Sequence, residues 1–503
     1  MFDKSHVEEI DGISFPGKTF AECVLKPIFN TQKKYYYKPF IKISRAHAIM
    51  LNEQNIITNE EAAKILTGLS KVAKIDFENA NYDPRYEDMF FMVEKELSEL
   101  IGIDAAGRLH IARSRNDLDI CEFRMVLREM FLQLTDVLND FKEVLLNIIN
   151  ENIETIMPAY THTQPAQPTT LAHYMLAFYD VINRSYYRLL KAYDGVNLSP
   201  IGAAAITTTG FPINRDRMAE LLGFDGLVEN SYDSIAGVDY LTESAAALMI
   251  MNTDLSKFIK DTLDFCTKEF NVYYLTNPYV QISSIMPQKR NPSSLEHTRP
   301  MTSNAIAEAK CIFDILHNTP FGDIVDSEEQ LQPHIYSSIE FTMKVLKILS
   351  SVYTTLKVNK EVLFNRAHES FITATELADT LVREKGLSFR ESHKITADLI
   401  KKLTKEHLDY KDITAEMINQ ISSTVIGERV NISIEDIKTA LDPVNFVNIR
   451  TITGGPAPSE TIRMLNGRKE KFKSEINEIK TRKEHLLQAD AELDYAVEAI
   501  VSN

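Results

Sequence analysis

Gln281-Ile-Ser-Ser-Ile-Met-Pro-Gln-Lys-Arg-Asn-Pro-Ser-Ser-Leu-Glu-His297 is the stretch from which the rest of the chain can be read. Proline fixes φ and has no N–H, so Pro287 and Pro292 predict an irregular loop rather than a regular element. Helix-like sequence lies on both sides. A polar loop braced by helices is where chemistry is usually carried. Ser283 and Ser284 can exchange protons, Lys289 and Arg290 bring charge, and Asn291 offers a donor and an acceptor. Such a set suits holding a carboxylate while a proton moves.

Working outward, Leu118 to about Ile156 is free of proline and glycine, with apolar residues at helical spacing. Similar runs cover about Asp233–Val272, Leu295–His317 and Ile335–Val358. Periodic stretches of this length point to a coiled coil, a membrane span or an elongated bundle. Strict heptads and uninterrupted apolar runs of about 18 residues are both missing, which leaves the bundle. The fold class is therefore all-α. Runs that are apolar all round, such as Ala245–Met251, call for more than one neighbour, a hint of subunit packing. Three domains are expected: a mostly helical 1–117, a central long-helix bundle 118–366, and a small α-domain with a tail helix, 367–503. Gly386 and Gly427 read as helix stops in that last part, and the charged tail from Arg468 reads as a solvated helix. Thr58-Asn-Glu-Glu61 has the form of a capping box.

Composition sets limits on function. Hydrophobic residues make up 44% and charged residues 25%, an ordinary globular balance. The net charge of −16 argues against nucleic acid, whose phosphates call for basic excess. Cys23, Cys121, Cys266 and Cys311 show no paired spacing, a poor start for a disulfide framework or a metal site, and one that suits a reducing cytoplasm. Cys121, Cys266 and Cys311 sit in helix-like apolar sequence and read as core. Asp3, Lys4, Glu8, Glu9 and Asp11 leave no signal-peptide pattern at the start, and no membrane span is expected.

Two further segments share the polar, compact style of the first. Gly107-Arg-Leu-His-Ile-Ala-Arg-Ser-Arg-Asn-Asp117 offers guanidinium and amide groups that could fork onto a carboxylate, or could simply form a salt-bridged helix start. Pro158-Ala-Tyr-Thr-His-Thr-Gln-Pro-Ala-Gln-Pro168 clamps Thr161 and His162 between prolines, which predicts a rigid irregular loop. A histidine with hydroxyl neighbours there is placed to carry a proton, its ordinary pKa lying near about 6.5.

Together, Ser114-Arg-Asn-Asp117, Thr161-His162…Gln164…Ala166-Gln-Pro168 and Ser283-Ser-Ile-Met-Pro-Gln-Lys-Arg-Asn-Pro292 resemble the fumarase/aspartase superfamily, and within it the argininosuccinate lyases. The resemblance extends through Ser199-Pro-Ile-Gly202, Cys266-Thr-Lys-Glu-Phe270 and Leu381-Val-Arg…Gly386-Leu-Ser-Phe-Arg390. It implies an all-α homotetramer with a twenty-helix core and sites shared among three subunits. It implies elimination of fumarate from an N-substituted aspartate, with no cofactor and no metal. Carried over, Ser283 would take the Cβ proton and His162, paired with Glu296, would assist departure of the nitrogen. Lys289, Thr161, Asn291, Ser114, Arg115 and Asn116 would surround the succinyl carboxylates.

The sequence also departs from the pattern. Ile282 and Ser293 stand where that family has Gly and Asp, and Leu118 stands for a Gln. Asp323, Glu328 and Leu331 fall, in an ungapped comparison, where argininosuccinate lyases carry Tyr, Gln and Lys. Asp323 and Glu328 would then meet the amine side of the substrate. Argininosuccinate is the default substrate; another N-succinyl amine, such as a diamine adduct, is the alternative. Adenylosuccinate lyase fits less well, because Gln288 occupies a position usually held there by Tyr. A non-catalytic, crystallin-like protein is the alternative of another class, against which the joint presence of Ser283, His162 and Lys289 counts.

Overall fold

A computed structural model describes residues 3–328, 330–369 and 371–502. Five long helices form the centre among these residues: α4 (Arg115–Glu151), α5 (Leu171–Val196), α6 (Asp239–Phe265), α7 (Ser293–Leu316) and α8 (Gln332–Thr355). They close into a ring, α4 packing on α5 and α8, α5 on α6, α6 on α7, and α7 on α8. Before them come α1 (Tyr37–Glu53), α2 (Asn59–Val72) and α3 (Met89–Ile101). After them come short helices and then α9 (Pro458–Val501).

Local chemistry accounts for the boundaries. The Thr58 capping box is present: the Glu61 N–H donates to Thr58 Oγ1 at 3.2 Å, and Glu61 Oε2 accepts from the Thr58 N–H at 2.8 Å. Gly386 and Gly427 take the left-handed conformation as helix stops. The run expected over Asp233–Val272 is two helices, Ser231–Ala236 and α6, broken at Gly237. A Cβ at Gly237 would lie 2.7 Å from the Asp233 carbonyl oxygen, so only glycine permits that close turn. The first expected run ends earlier than its spacing suggests, because Ile156 begins a strand. Helix α5 was not among the expected runs. Its buried face is built largely of tyrosines (Tyr179, Tyr186, Tyr193), which dilute the aliphatic signal.

The main core runs from Phe29 through the ring to Leu363 and takes in Met464, Leu465, Ile479, Leu493 and Val497 of α9. A separate core gathers Leu377, Leu381, Leu399, Ile418 and Leu441. The expectation of a solvated tail is therefore corrected. Helix α9 is 44 residues long and packs on α1, α2, α4 and α5, with Lys142 of α4 and Glu475 of α9 paired at 2.6 Å in full burial. The Lys142 ammonium lies 4.1 Å from the centre of the Tyr186 ring, and Tyr187 Oη donates to Glu475 Oε1 at 2.6 Å. Burial pushes the Lys142 ammonium down to about 8, against the pull of Glu475.

Helix α4 also serves the helix that follows. Buried Arg124 donates to the Gly195 carbonyl at 2.8 Å, and buried Arg128 donates to Asn197 Oδ1 at 3.0 Å and the Leu222 carbonyl at 2.7 Å. These arginines satisfy polar groups at the end of α5 and at the end of the helix Arg215–Leu221. Tyr36, in the run Lys33-Lys-Tyr-Tyr-Tyr-Lys38, is buried against Phe123 and Tyr336. Cys121 is buried and Cys266, partly buried, packs against the main core, but Cys311 is only partly buried and joins no core among the described residues, which corrects its reading. No helix among the described residues is long and apolar enough to cross a membrane.

Replacing Lys142 with Met should destabilise the protein by about 3–5 kcal/mol, because Glu475 remains buried without its cation. Lys142→Met combined with Glu475→Leu should recover most of the loss. Denaturant midpoints of the two variants check this; equal losses would remove the buried charge as the cause.

Candidate active site

The first polar segment forms the N-terminus of α4. Ser114 caps the helix, its N–H donating to Asp117 Oδ1 at 3.1 Å and its Oγ donating to Asn116 Oδ1 at 2.9 Å. Asp117 is fully buried. Its Oδ2 accepts from the N–H of Gly202 at 2.8 Å and of Ala204 at 2.9 Å. Gly202 has φ +86°, and a Cβ there would come within 2.7 Å of Arg215, so this turn requires glycine. Arg215 holds the turn from the other side, donating to the carbonyls of Ile201 (3.0 Å) and Val228 (2.9 Å). Burial raises the Asp117 carboxyl to about 6, opposed by the three N–H donors and by Arg113. Burial likewise brings Arg113 down to about 10; it donates to Ser44 Oγ at 3.0 Å.

Asn116 Nδ2 donates to the Ala205 carbonyl at 3.2 Å and to Asp323 Oδ2 at 2.7 Å. Asn116 thus bridges Ser114 and Asp323. Burial holds the Asp323 carboxyl above its usual range, with Arg115 pulling the other way. Arg115 itself is engaged elsewhere, with Asp88 at 2.6 Å and Glu87 at 3.4 Å. Burial alone would lower its pKa, but those carboxylates raise it. Glu328 is half-buried just beyond the turn Val325–Ser327. Leu331 is wholly buried in the main core at the start of α8.

The second segment is a β-hairpin, not the irregular loop expected. Strand β1 (Ile156–Thr161) pairs antiparallel with β2 (Gln164–Thr170), with a register shift at Ala159/Tyr160. Both strands of a two-stranded ribbon are edges, where prolines are tolerated. Thr161 faces Gln164, and the two residues between, His162 and Thr163, have φ +51° and +65°. Positive φ at both positions defines a type I′ turn. It holds the His162 imidazole out at an exposed tip.

The third segment is also a hairpin. Strand β3 (Gln281–Ile282) pairs with β4 (Arg290–Asn291), leaving Ser283–Lys289 as the loop. Ser283 Oγ accepts from the N–H of Met286 at 3.1 Å and of Ile285 at 3.4 Å. Lys289 lines a cavity of about 650 Å³ with Lys268, Gln288 and Arg290. Glu296 is exposed in the first turn of α7. Pro300, four residues on, lacks the N–H that would bond to its carbonyl.

One chain does not bring all of these together. Among the described residues no hydrogen bond or ion pair joins His162 to Glu296. Thr163, beside His162, lines a different cavity of about 630 Å³ with His173, Asp261 and Phe446. The residues that reading of the sequence missed are Asp117, Gly202 and Arg215. The signals were present in the Ser114-x-x-Asp117 capping pattern and in Ser199-Pro-Ile-Gly202, but nothing in the sequence said that the two touch.

Known proteins share this architecture. Residues 27–307 match the family described as Lyase, and residues 371–448 the family described as Argininosuccinate lyase C-terminal. Argininosuccinate lyase 2 of Agrobacterium fabrum is 40% identical over 449 residues, 89% of each chain. Argininosuccinate lyase of Methanocaldococcus jannaschii is 39% identical over 439 residues, 86% of this chain and 88% of that one. The structure of EDDS lyase in complex with formate superposes with TM-score 0.86 and 31% identity, over 99% of this chain and 98% of its own. A class II fumarase from Schistosoma mansoni shares the fold, with TM-score 0.67 and 14% identity over 84% of this chain and 91% of its own. The chain belongs to the argininosuccinate lyase family of the fumarase/aspartase superfamily.

Asp117→Ala should leave the N–H groups of Ser114, Gly202 and Ala204 without their acceptor, at about 1–3 kcal/mol for each that stays buried. A drop of several degrees in Tm together with reduced kcat/KM is expected. A variant with unchanged Tm and activity would show that the Ser114 edge is held by other means.

Proposed function

We propose that the protein is a fumarate-forming carbon–nitrogen lyase that reversibly eliminates fumarate from an N-substituted aspartate. Argininosuccinate is the substrate its relatives' names indicate. The observation that carries this reading is the Ser283–Lys289 loop. It presents, from one short hairpin, a hydroxyl that accepts from two backbone donors and an ammonium with no hydrogen bond or ion pair among the described residues. Ser283 takes the proton from Cβ. The N–H groups of Ile285 and Met286 aimed at Ser283 Oγ favour the anionic oxygen over the hydroxyl, because an oxyanion is the stronger acceptor.

Removing that proton places a second negative charge on the adjacent carboxylate. Preorganised donors at such developing charge contribute about 3–4 kcal/mol each. Lys289 and Asn291 from the loop, with Thr161 and the Ser114–Asn116 edge, supply them. His162 assists departure of the nitrogen, and Glu296 orients and stabilises its imidazole. The site is drawn from several copies in a cytoplasmic homotetramer, as the resemblance of the three segments implies. That Thr163, beside His162, and Lys289 line different cavities supports that arrangement. A non-catalytic role gains no support from relatives that are named as lyases.

A second reading concerns the amine. The Asp323 carboxylate beside Asn116 offers an anion on the leaving-group side, with Glu328 close in sequence. Opposite charges attract and like charges repel, so a basic amine suits this carboxylate better than a distal carboxylate does. The likeness to EDDS lyase fits such a substrate, an N-succinyl amine such as a diamine adduct.

Ser283→Ala should lower kcat by several orders of magnitude with little change in KM or in sedimentation, since the hydroxyl acts chiefly in the transition state. Fumarate release followed by absorbance reads this; near-normal kcat would place the base elsewhere. To separate the two substrates, kcat/KM for argininosuccinate cleavage is compared with rates of fumarate addition to diamines. Faster diamine addition is expected from the Asp323 geometry. Efficient argininosuccinate cleavage with no diamine addition would return the default.

A further inference from the structure

Two residue pairs close the loop that carries Ser283 and Lys289: Gln281 faces Asn291, and Ile282 faces Arg290. A ribbon that short does not hold itself in water, so its rigidity has to come from outside. The Arg290 guanidinium donates from Nη1 to Asn277 Oδ1 at 2.9 Å and from Nη2 to the Leu275 carbonyl at 2.8 Å. Its central carbon lies over the Tyr274 ring, 4.6 Å from the centre, at the distance where cation and ring attract. On the opposite strand, Gln281 Oε1 accepts from Ser293 Oγ at 3.1 Å.

These anchors belong to the end of the helix ring. Tyr273–Tyr274 pairs antiparallel with Lys357–Val358, directly after α8. Tyr273 is buried edge-on against Phe265 of α6 and Tyr353 of α8, and Leu275 is buried as well. Beyond Arg290 the anchoring stops. Among the described residues, the side chains from Ser284 to Lys289 make no hydrogen bond or ion pair, and Ile285 is 83% exposed. Ser283 follows Ile282 and Lys289 precedes Arg290, so both reactive residues directly adjoin the last fixed pair.

We infer that Arg290 is a positioning residue: its fork onto Asn277 and Leu275, set over Tyr274, fixes the ribbon from which Ser283 and Lys289 project. The inference rests on the assignment of Ser283 as base and Lys289 as carboxylate holder. A lysine at 290 would keep the charge, but it cannot make two diverging bonds from a planar fork set over an aromatic ring. Fork and charge are therefore separable roles. A displacement of about an ångström at either reactive residue is enough to cost up to about a hundredfold in rate.

The test uses the full-length enzyme with Arg290→Lys, Arg290→Gln, Asn277→Ala and Tyr274→Leu. Each should lower kcat by about tenfold or more with a smaller change in KM, Arg290→Lys restoring little. Asn277→Ala added to Arg290→Gln should cost no more than the single change, the sign of one shared interaction. Tryptic cleavage after Lys289 should quicken several-fold in Asn277→Ala and Tyr274→Leu, whose loop sequence is untouched, while Tm holds. Full activity in Arg290→Lys would mean that Arg290 acts through charge, and the inference would fall. Unchanged kcat and cleavage in both Asn277→Ala and Tyr274→Leu would overturn it equally. Should Ser283→Ala prove active, the assignment of the base fails, yet the cleavage rates still decide whether Arg290 anchors the ribbon.

Discussion

Asp117, Arg124 and Arg128 are three charged side chains buried on one helix, and the edge of the candidate site hangs from them. Burying a charge is expensive unless hydrogen bonds replace the lost water. Each of these groups is therefore committed to backbone or amide partners: Asp117 to the 202–204 turn, Arg124 to the end of α5, Arg128 to Asn197 and Leu222. The pattern converts α4 from a stretch of ring wall into a ruler along which neighbouring segments are registered. Asn116, one residue from Asp117, inherits its place from that register, and its contact with Asp323 follows.

The ring sets where chemistry can occur. Its five helices bury their faces against one another, and their sides leave little room for irregular backbone. Polar groups with unusual geometry therefore collect where the helices start and stop. The 156–170 hairpin joins α4 to α5, the 281–291 hairpin precedes α7, and the Ser114 turn opens α4. Two of these three are ribbons whose residues project at fixed angles. His162 and Ser283 consequently sit on short levers, each braced at its base by aromatic packing: Tyr160 lies 6.2 Å from Phe270, and Arg290 lies over Tyr274.

The long helices were legible in the sequence because periodic apolar residues speak for themselves, even in α7 where Pro300 interrupts them. The grouping of Ser283, Lys289 and Asn291 was legible too, since it is local. Three things were not. Helix α5 hid behind its tyrosines and asparagines. The hairpin at His162 was obscured because prolines at 158, 165 and 168 signal irregularity, whereas an edge ribbon accommodates them. The pairing of Lys142 with Glu475 could not be seen, because a charged tail reads as solvated until its partner is known. That partner lies 333 positions away. The same holds for Asp117 and Gly202, whose contact is tertiary and leaves no mark in either segment alone.

The placement of α9 bears on how the chain reaches its folded state during synthesis. Lys42 and Arg45 of α1 find Asp490 and Asp494 only at the far end of the polypeptide, and the apolar face of α9 fills the same core as α1 and α2. Contacts between such remote segments form slowly, because a long loop must be closed before they give any return. The earliest helices to leave the ribosome are thus among the last to be covered, and their exposed faces wait through the emergence of the whole ring. During that interval the nascent chain presents an uncovered apolar groove, the kind of surface on which chaperones act and premature association begins.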